Sequence, residues 1–238
     1  MENKKQNLVV SECFYSIQGE GRTTGVPAVF LRLAGCNLLC KSEHWVCDSI
    51  EVWQKGYKTP FDKVFTSQMI EAFKNGAHLV LTGGEPMLHQ TKVLEFLDWF
   101  YSFYRFLPYL EIETNGTIMP NEKMLTYLDQ INCSPKLENS GEPIQKRFKK
   151  KVLQTISNHK NHFFKFVVDT ENDIKEIFDL IQMIEKTISK KNIYLMPAGE
   201  TQEKLKKTRL LVAEACKDNF LNYTERAHIV IWNEKTGV

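Results

Sequence analysis

Three cysteines, Cys36, Cys40 and Cys47, fall within twelve residues. Clustered thiols in a reducing compartment hold a metal or do redox chemistry, because the thiolate is a soft ligand and a nucleophile. Two metal chemistries fit. A zinc ion takes four such ligands, and His44 completes a Cys3His set. A cubane iron–sulfur cluster is normally held by four thiolates, so three leave one iron open to a further ligand. The cysteines alone leave both possibilities open. Cys13, Cys133 and Cys216 stand apart and read as small apolar residues of the core.

These residues need elements to position them. Strand-length apolar runs occur at 8–15, 28–33, 78–81, 109–113, 130–133, 163–168, 192–196 and 227–232. Helix-period segments lie between many of them. Ile174, Ile177, Phe178, Ile181 and Ile188 share one face; Leu205, Val212 and Cys216 mark a second helix, and Val93, Phe96, Leu97 and Phe100 a third. This alternation implies an α/β fold with a mostly parallel sheet and helices packed against it. Right-handed crossovers then bring the strand ends to one edge. Those ends are polar and rich in glycine: Thr82–Pro86 reads Thr-Gly-Gly-Glu-Pro, 114–117 Thr-Asn-Gly-Thr, 134–136 Ser-Pro-Lys and 196–199 Met-Pro-Ala-Gly. One such loop is ordinary turn chemistry; four at successive strand ends read as a binding surface.

The remaining composition narrows the class. With 42% apolar and 25% charged residues in 238, the chain has the makeup of a globular protein, long enough to bury a core without staples. A net charge of +2 gives no general case for a polyanionic partner. In the basic run at 146–151, Ile144, Phe148, Val152 and Ile156 recur every fourth residue, so the lysines read as the solvated side of one amphipathic helix, not a nucleic-acid surface. The longest apolar stretch, 28–40, carries Arg32 and is too short to span a bilayer, and the first seven residues lack a signal-peptide core. A cytoplasmic protein with one domain over residues 1–238 is expected, contacting neither membrane nor nucleic acid.

The glycine loop separates the two metal readings. Gly83 and Gly84 let a ligand touch backbone directly, while Glu85 would repel a phosphate. A zwitterion with a free ammonium suits such a loop, and S-adenosylmethionine is one. Its amino and carboxylate groups can chelate the open iron of a three-cysteine cubane. At this point the sequence resembles the radical S-adenosylmethionine superfamily. Further segments occur in order: Phe-Tyr-Ser-Ile-Gln-Gly-Glu-Gly at 14–21, Phe-Leu-Arg-Leu-Ala-Gly-Cys-Asn-Leu at 30–38, Cys-Asp-Ser at 47–49, Glu-Thr-Asn-Gly at 113–116, Ser-Pro-Lys at 134–136, Lys-Phe-Val-Val at 165–168, Met-Pro at 196–197, and a tail with His228, Trp232, Lys235 and Gly-Val at 237–238. Nearly end to end, they are similar to the 7-carboxy-7-deazaguanine synthase family.

The resemblance implies a lyase of 7-deazapurine (queuosine-type) biosynthesis. It converts 6-carboxy-5,6,7,8-tetrahydropterin to 7-carboxy-7-deazaguanine with loss of ammonia, through a 5′-deoxyadenosyl radical and ring contraction. It implies an incomplete (β/α) barrel of about six core parallel strands with reduced helices, a 4Fe-4S cluster, S-adenosylmethionine and Mg2+. A homodimer and a one-electron donor such as a flavodoxin follow as expectations. Carried over by residue, Cys36, Cys40 and Cys47 hold the cluster and Ser49 reaches magnesium. Val46, Asp48, Gly84, Glu85, Thr114, Asn115, Ser134, Pro135, Lys136, Met196, Pro197, Ala198 and Gly199 contact S-adenosylmethionine. Ile17, Gln18, Gly19, Glu20, Arg32, Thr82, His228 and the carboxylate of Val238 face the pterin, with Glu20 and Arg32 as the catalytic pair. Chemistry agrees: Gln18 and Glu20 can pair a pterin edge of donors and acceptors, and Arg32 can grip a carboxylate with two prongs.

Two features depart from the superfamily's usual pattern. Six residues separate Cys40 from Cys47 where two are common, and Ser49 stands where threonine is usual. The first bears on cluster geometry; the second keeps the hydroxyl but not the methyl that fixes its rotamer. A glycyl-radical activating enzyme would share cluster and loop, yet would need a groove for a partner protein in place of Gln18, Glu20 and Arg32. A zinc-stabilised binding module would leave the four strand-end loops unexplained.

Overall fold

The computed structural model describes residues 6–42, 47, 54–233, 235 and 237. Among them run the strands β1 (Asn7–Ile17), β2 (Pro27–Leu33), β3 (Tyr57–Pro60), β4 (His78–Gly83), β5 (Leu110–Thr114), β6 (Gln130–Cys133), β7 (His162–Val168), β8 (Ile193–Pro197) and β9 (Asn222–Tyr223). The helices are α1 (Ser67–Lys74), α2 (Gln90–Tyr104), α3 (Glu122–Tyr127), α4 (Ile144–Arg147), α5 (Lys150–Ile156), α6 (Glu171–Met183), α7 (Gln202–Asn219) and α8 (Ala227–Trp232). The strands form one sheet in the order β3-β1-β2-β4-β5-β6-β7-β8-β9. From β2 to β9 every pairing is parallel, while β1 runs antiparallel to both β2 and β3. Six strands of working length, with β9 only two residues long, make the open, incomplete barrel that the sequence implies.

Alternation along each strand separates an outer, helix-facing side from an inner one. Val29, Leu31 and Leu33 of β2, Leu79 and Leu81 of β4, Ile112, Ile131, Phe164 and Phe166 join the main core beneath the helices. Its densest part is aromatic: Phe96 and Phe100 of α2 meet Phe61, Phe65, Phe73 and Trp99 edge-on or stacked. The inner face begins with a small apolar plug of Ala28, Phe30 and Val80, with Phe14 stacked on Phe30 at 5.1 Å. Two residues further along β2 and β4, the same face carries Arg32 and Thr82, which are register partners. On β5 and β6 the equivalent partners are Glu113 and Asn132. The alternation that buries the core therefore also sets a polar ring above the plug, at the strands' carboxyl ends.

Three readings of the sequence need correction. Residues 227–232 form helix α8, not a strand. Only Ile229 is buried there, with Ile231 exposed, and a short apolar run does not distinguish the two structures. The single helix expected over 144–156 is broken into α4 and α5, with Phe148 extended between them (φ −113°, ψ 117°). Arg147 sits at the break. It turns inward, donating from Nε to the Glu142 carbonyl at 2.9 Å and pairing with Glu176 at 2.6 Å, so the basic run is not wholly solvated. Ile188, expected on the face of α6, lies past its end at Met183, though it is buried in the core. The faces of α2 and α7 are as read, with Val93, Phe96, Leu97, Phe100, Leu205, Val212 and Cys216 all buried. Among the described residues no helix is long and apolar enough to cross a membrane.

Candidate active site

A cavity of about 810 Å³ opens at the carboxyl ends of the parallel strands, toward the upper end of the ~300–1,000 Å³ of small-molecule sites. Cys36, Cys40 and Cys47 line it, and so do Gln18, Glu20, Arg32 and Thr82.

The cysteine wall follows from how the loops after β2 and β4 are stitched together. The Gly84 amide donates to the Leu33 carbonyl at 3.1 Å, and the Glu85 amide to the Gly35 carbonyl at 2.9 Å. Gly83 has φ +124°, and a Cβ there would lie 2.1 Å from the Leu33 carbonyl oxygen, so only glycine permits this approach. Cys36 follows Gly35 directly. The Cys47 amide donates to the Cys40 carbonyl at 3.1 Å, and the Leu39 amide to a Glu142 carboxylate oxygen. Asn115 donates to Asn37 at 3.1 Å, with its Nδ2 4.0 Å from the Cys36 sulfur. Burial pushes the Cys40 thiol up to about 11 and raises Cys36 too, while Lys136 pulls both the other way.

These residues suit a cubane cluster. Among the described residues no three His, Cys, Asp or Glu side chains converge closely enough to hold a single metal ion. A cubane takes its thiolates from different corners and so from wider spacing, and Cys36, Cys40 and Cys47 line one cavity close enough to feel one another's charge. His44, the fourth member of the zinc set, lies outside the described residues, as do Val46, Asp48, Ser49 and Val238.

The loop between β1 and β2 closes on itself. The Gln18 amide donates to the Val26 carbonyl at 2.8 Å, and the Gly25 amide returns to Gln18 at 2.7 Å. That turn carries Gly19 and Glu20 into the cavity. Glu113 organises its floor, accepting from Thr82 Oγ1 at 2.9 Å and from Gln18 Nε2 at 3.2 Å. Arg32 pairs with its register neighbour Glu12 at 3.0 Å and lies over the Phe14 ring at 5.3 Å. It stands on an interior strand of the sheet, not an edge, and stays partly exposed to the cavity.

Glu20 is the electrostatic centre of this wall. Lys165 donates to one carboxylate oxygen, Arg226 Nε to the other at 3.1 Å, and His228 Nε2 stands 3.9 Å away. Burial alone would raise its pKa, but the charges of Lys165, Arg226 and His228 outweigh it and hold the carboxyl well below the usual range. Burial likewise opposes the charge on Lys165, yet Glu20 and Glu113 together keep its pKa raised. His228 packs against Gly19, where a Cβ would come within 2.3 Å of its Nδ1.

Of the residues expected to face S-adenosylmethionine, Gly84, Thr114, Asn115, Ser134, Lys136 and Met196 line the cavity, and Pro135 lines a small pocket beside it. Ile17, Gln18, Gly19, Glu20, Arg32, Thr82 and His228 of the expected pterin set line it too. Pro197, Ala198 and Gly199 form the loop between Met196 and Glu200, which both line the cavity; the Gly199 carbonyl accepts from Arg226 and the Ala198 carbonyl from Thr208. Glu85, expected there as well, lies behind the lining residues. Fully buried, its carboxylate accepts from the Met87 amide at 2.9 Å, Thr114 Oγ1 at 2.9 Å and the Asn115 amide at 2.7 Å. It braces the loops behind the wall. Glu113, Asn132, Lys165 and Arg226 were assigned no role from sequence. Their signal was inward phase on β5, β6 and β7, with no such periodicity to mark Arg226.

Comparison with known proteins places these features in context. Residues 17–156 match the family described as 4Fe-4S single cluster domain, Fer4_12. The 7-carboxy-7-deazaguanine synthase of Halobacterium salinarum is 32% identical, over 95% of this chain and 91% of its own. That of Pyrobaculum aerophilum is 30% identical over 96% of both. The crystal structure of QueE from Escherichia coli superposes with a TM-score of 0.66 at 23% identity, covering 96% of this chain and 99% of that one, a likeness of fold.

Proposed function

The chain belongs to the 7-carboxy-7-deazaguanine synthase family, and on that premise we propose that it converts 6-carboxy-5,6,7,8-tetrahydropterin to 7-carboxy-7-deazaguanine with release of ammonia. The observation that carries the reading is the single cavity lined both by three cysteines and by Gln18, Glu20, Arg32 and Thr82. Cys36, Cys40 and Cys47 would hold a 4Fe-4S cluster, and Gly84, Thr114, Asn115, Ser134, Lys136 and Met196 would bind S-adenosylmethionine beside it. When bound, that pair supplies a carbon-centred radical able to take one hydrogen from the substrate and return it.

The protein's part is to bind, orient and exclude water. Arg32 offers a forked guanidinium to the pterin carboxylate, and Phe14 beneath it limits where the fork can swing. Glu20 stays ionised between its cations and accepts from the donor edge of the pterin. Gln18 is held in one amide orientation, donating to Glu113 at 3.2 Å while its oxygen accepts from the Glu20 amide at 3.2 Å. The apolar plug of Phe30 and Val80 closes the barrel below and keeps water from the radical. Ser49 as a magnesium ligand, a homodimer, a flavodoxin-like electron donor, a single domain over the whole chain and a cytoplasmic setting complete the reading. Oxygen ligands and retained waters suit Mg2+ at a lone hydroxyl.

Anaerobic conversion tests it. Reconstituted, reduced protein given S-adenosylmethionine, Mg2+ and 6-carboxytetrahydropterin should yield deazaguanine by mass, with ammonia in equal amount. Cleavage of S-adenosylmethionine without deazaguanine would keep the radical chemistry and reject the substrate.

A further inference from the structure

Arg226 belongs to neither of the residue sets carried over from the family, yet it touches both sides of the site. Its Nε donates to Glu20 on the pterin wall at 3.1 Å. Its NH1 donates to the Gly199 carbonyl at 2.9 Å, in the loop that follows β8 and leads on from Met196. The guanidinium is buried, with 8% of the side chain exposed, so both bonds are made away from bulk water, where they count most. Its segment is laced to the same turn by backbone: the Ala227 amide donates to the Gly19 carbonyl at 2.8 Å, and Thr224 Oγ1 accepts from the Gly21 amide at 2.7 Å. Lys165, the other cation on Glu20, is buried beside Glu113 and has no such bond to the Gly199 loop.

We propose that Arg226 is a positioning residue that fixes the pterin wall against the S-adenosylmethionine loop, coupling the two subsites through one planar guanidinium. The inference rests on the functional reading above and deepens it. Hydrogen transfer between two bound molecules depends on their separation, and a misplacement of about 1 Å costs roughly a hundred-fold in rate. A rigid fork with donors aimed at both subsites is suited to set that separation. A lysine, with one compact ammonium, can replace the charge beside Glu20 but cannot aim at both acceptors.

Three variants test it: Arg226→Gln, Arg226→Lys and Lys165→Gln. Pterin affinity is measured by calorimetry on iron-free protein, S-adenosylmethionine affinity on reconstituted protein, and deazaguanine formed per 5′-deoxyadenosine in turnover. Arg226→Gln should weaken both ligands by about five-fold or more, the lower end of typical site-to-site coupling, and lower the product ratio. Arg226→Lys should recover pterin affinity but neither S-adenosylmethionine affinity nor the ratio. Lys165→Gln should weaken the pterin alone. A merely structural residue would lower melting temperature and active fraction while leaving the product ratio unchanged in both Arg226 variants, and that result overturns the proposal. So does unchanged S-adenosylmethionine affinity in Arg226→Gln. A wild-type protein that cleaves S-adenosylmethionine but binds no pterin would overturn the functional reading itself, a failure visible before any variant is made.

Discussion

Replacing Glu20 by Gln removes one negative charge and leaves two buried cations facing a neutral amide. Side-chain exposures of 13% for Glu20, 11% for Lys165 and 8% for Arg226 put this triad out of bulk solvent. Breaking a buried pair by deleting one partner costs ~3–5 kcal/mol, chiefly because the other charge is left uncompensated. Glu113 still faces Lys165, which argues for the lower end, about 3 kcal/mol. For a chain of this size that corresponds to a fall in melting temperature of roughly 6–12 °C. The pH dependence has a definite sign. The folded-state pKa of Glu20 is depressed, so its contribution is fully present above the ordinary glutamate value of ~4.3 and is lost as pH falls through the lower folded value. The deficit of Glu20→Gln should therefore be constant from pH 7 to 5 and narrow only below that range. Thermal unfolding of the iron-free protein measures it. Pairing the change with Lys165→Met should restore at least ~1 kcal/mol relative to the sum of the single changes, since contacting residues couple by ~0.5–3 kcal/mol. A melting temperature within about 2 °C of wild type at pH 7, or strict additivity, would refute the reasoning.

Other consequences are as direct. Gly83→Ala sets a Cβ 2.1 Å from the Leu33 carbonyl at φ +124°; backbone strain of ~1–3 kcal/mol and overpacking of similar size should lower stability by ~2–6 kcal/mol in a melt. A loss under ~1 kcal/mol would mean the two loops part easily. Gly19→Ala drives a methyl into the His228 ring, so pterin affinity should fall several-fold in a calorimetric titration while S-adenosylmethionine affinity holds; equal losses would count against separate walls. Glu85→Ala orphans the Met87 and Asn115 amides and the Thr114 hydroxyl, at ~1–3 kcal/mol for each buried group left unpaired, and should weaken S-adenosylmethionine through the displaced Thr114–Asn115 loop. Intact stability in that variant would show water replacing the carboxylate.

What could be read from the chain follows the range of each interaction. Strand phase is local and accounts for the inward placement of Arg32 and Thr82, but it was the family resemblance that singled them out together with Gln18; cysteine spacing is local too. The glycine loop was readable as an exposed strand-end turn, but the bonds that tie Glu85 within it to Thr114 and Asn115 were not, because those partners come from the next strand end. Lys165 and Arg226 meet Glu20 across 145 and 206 residues, and no local pattern encodes such a pairing. The run at 227–232 misled because its apolar residues fit either period; it follows the sheet's last, two-residue strand, and as a helix it holds His228 near Glu20. The basic run misled similarly, since a buried acceptor set for Arg147 is supplied by Glu142, Lys136 and Glu176 from other segments.

The central claim is that one cavity holds a cluster on its cysteine wall and a pterin on the Arg32 wall. The measurement that bears on it most directly is deazaguanine and 5′-deoxyadenosine quantified by mass in the same anaerobic reactions of wild type, Cys47→Ala and Arg32→Ala. Loss of one charge-assisted forked contact, ~1.5–3 kcal/mol, predicts a fall of about ten-fold to a hundred-fold in deazaguanine at limiting pterin for Arg32→Ala, with its cluster absorbance intact. Cys47→Ala should lose the absorbance and both products together. An Arg32→Ala enzyme that makes deazaguanine at the wild-type rate, or a Cys47→Ala protein that keeps its cluster and turns over, would contradict the account.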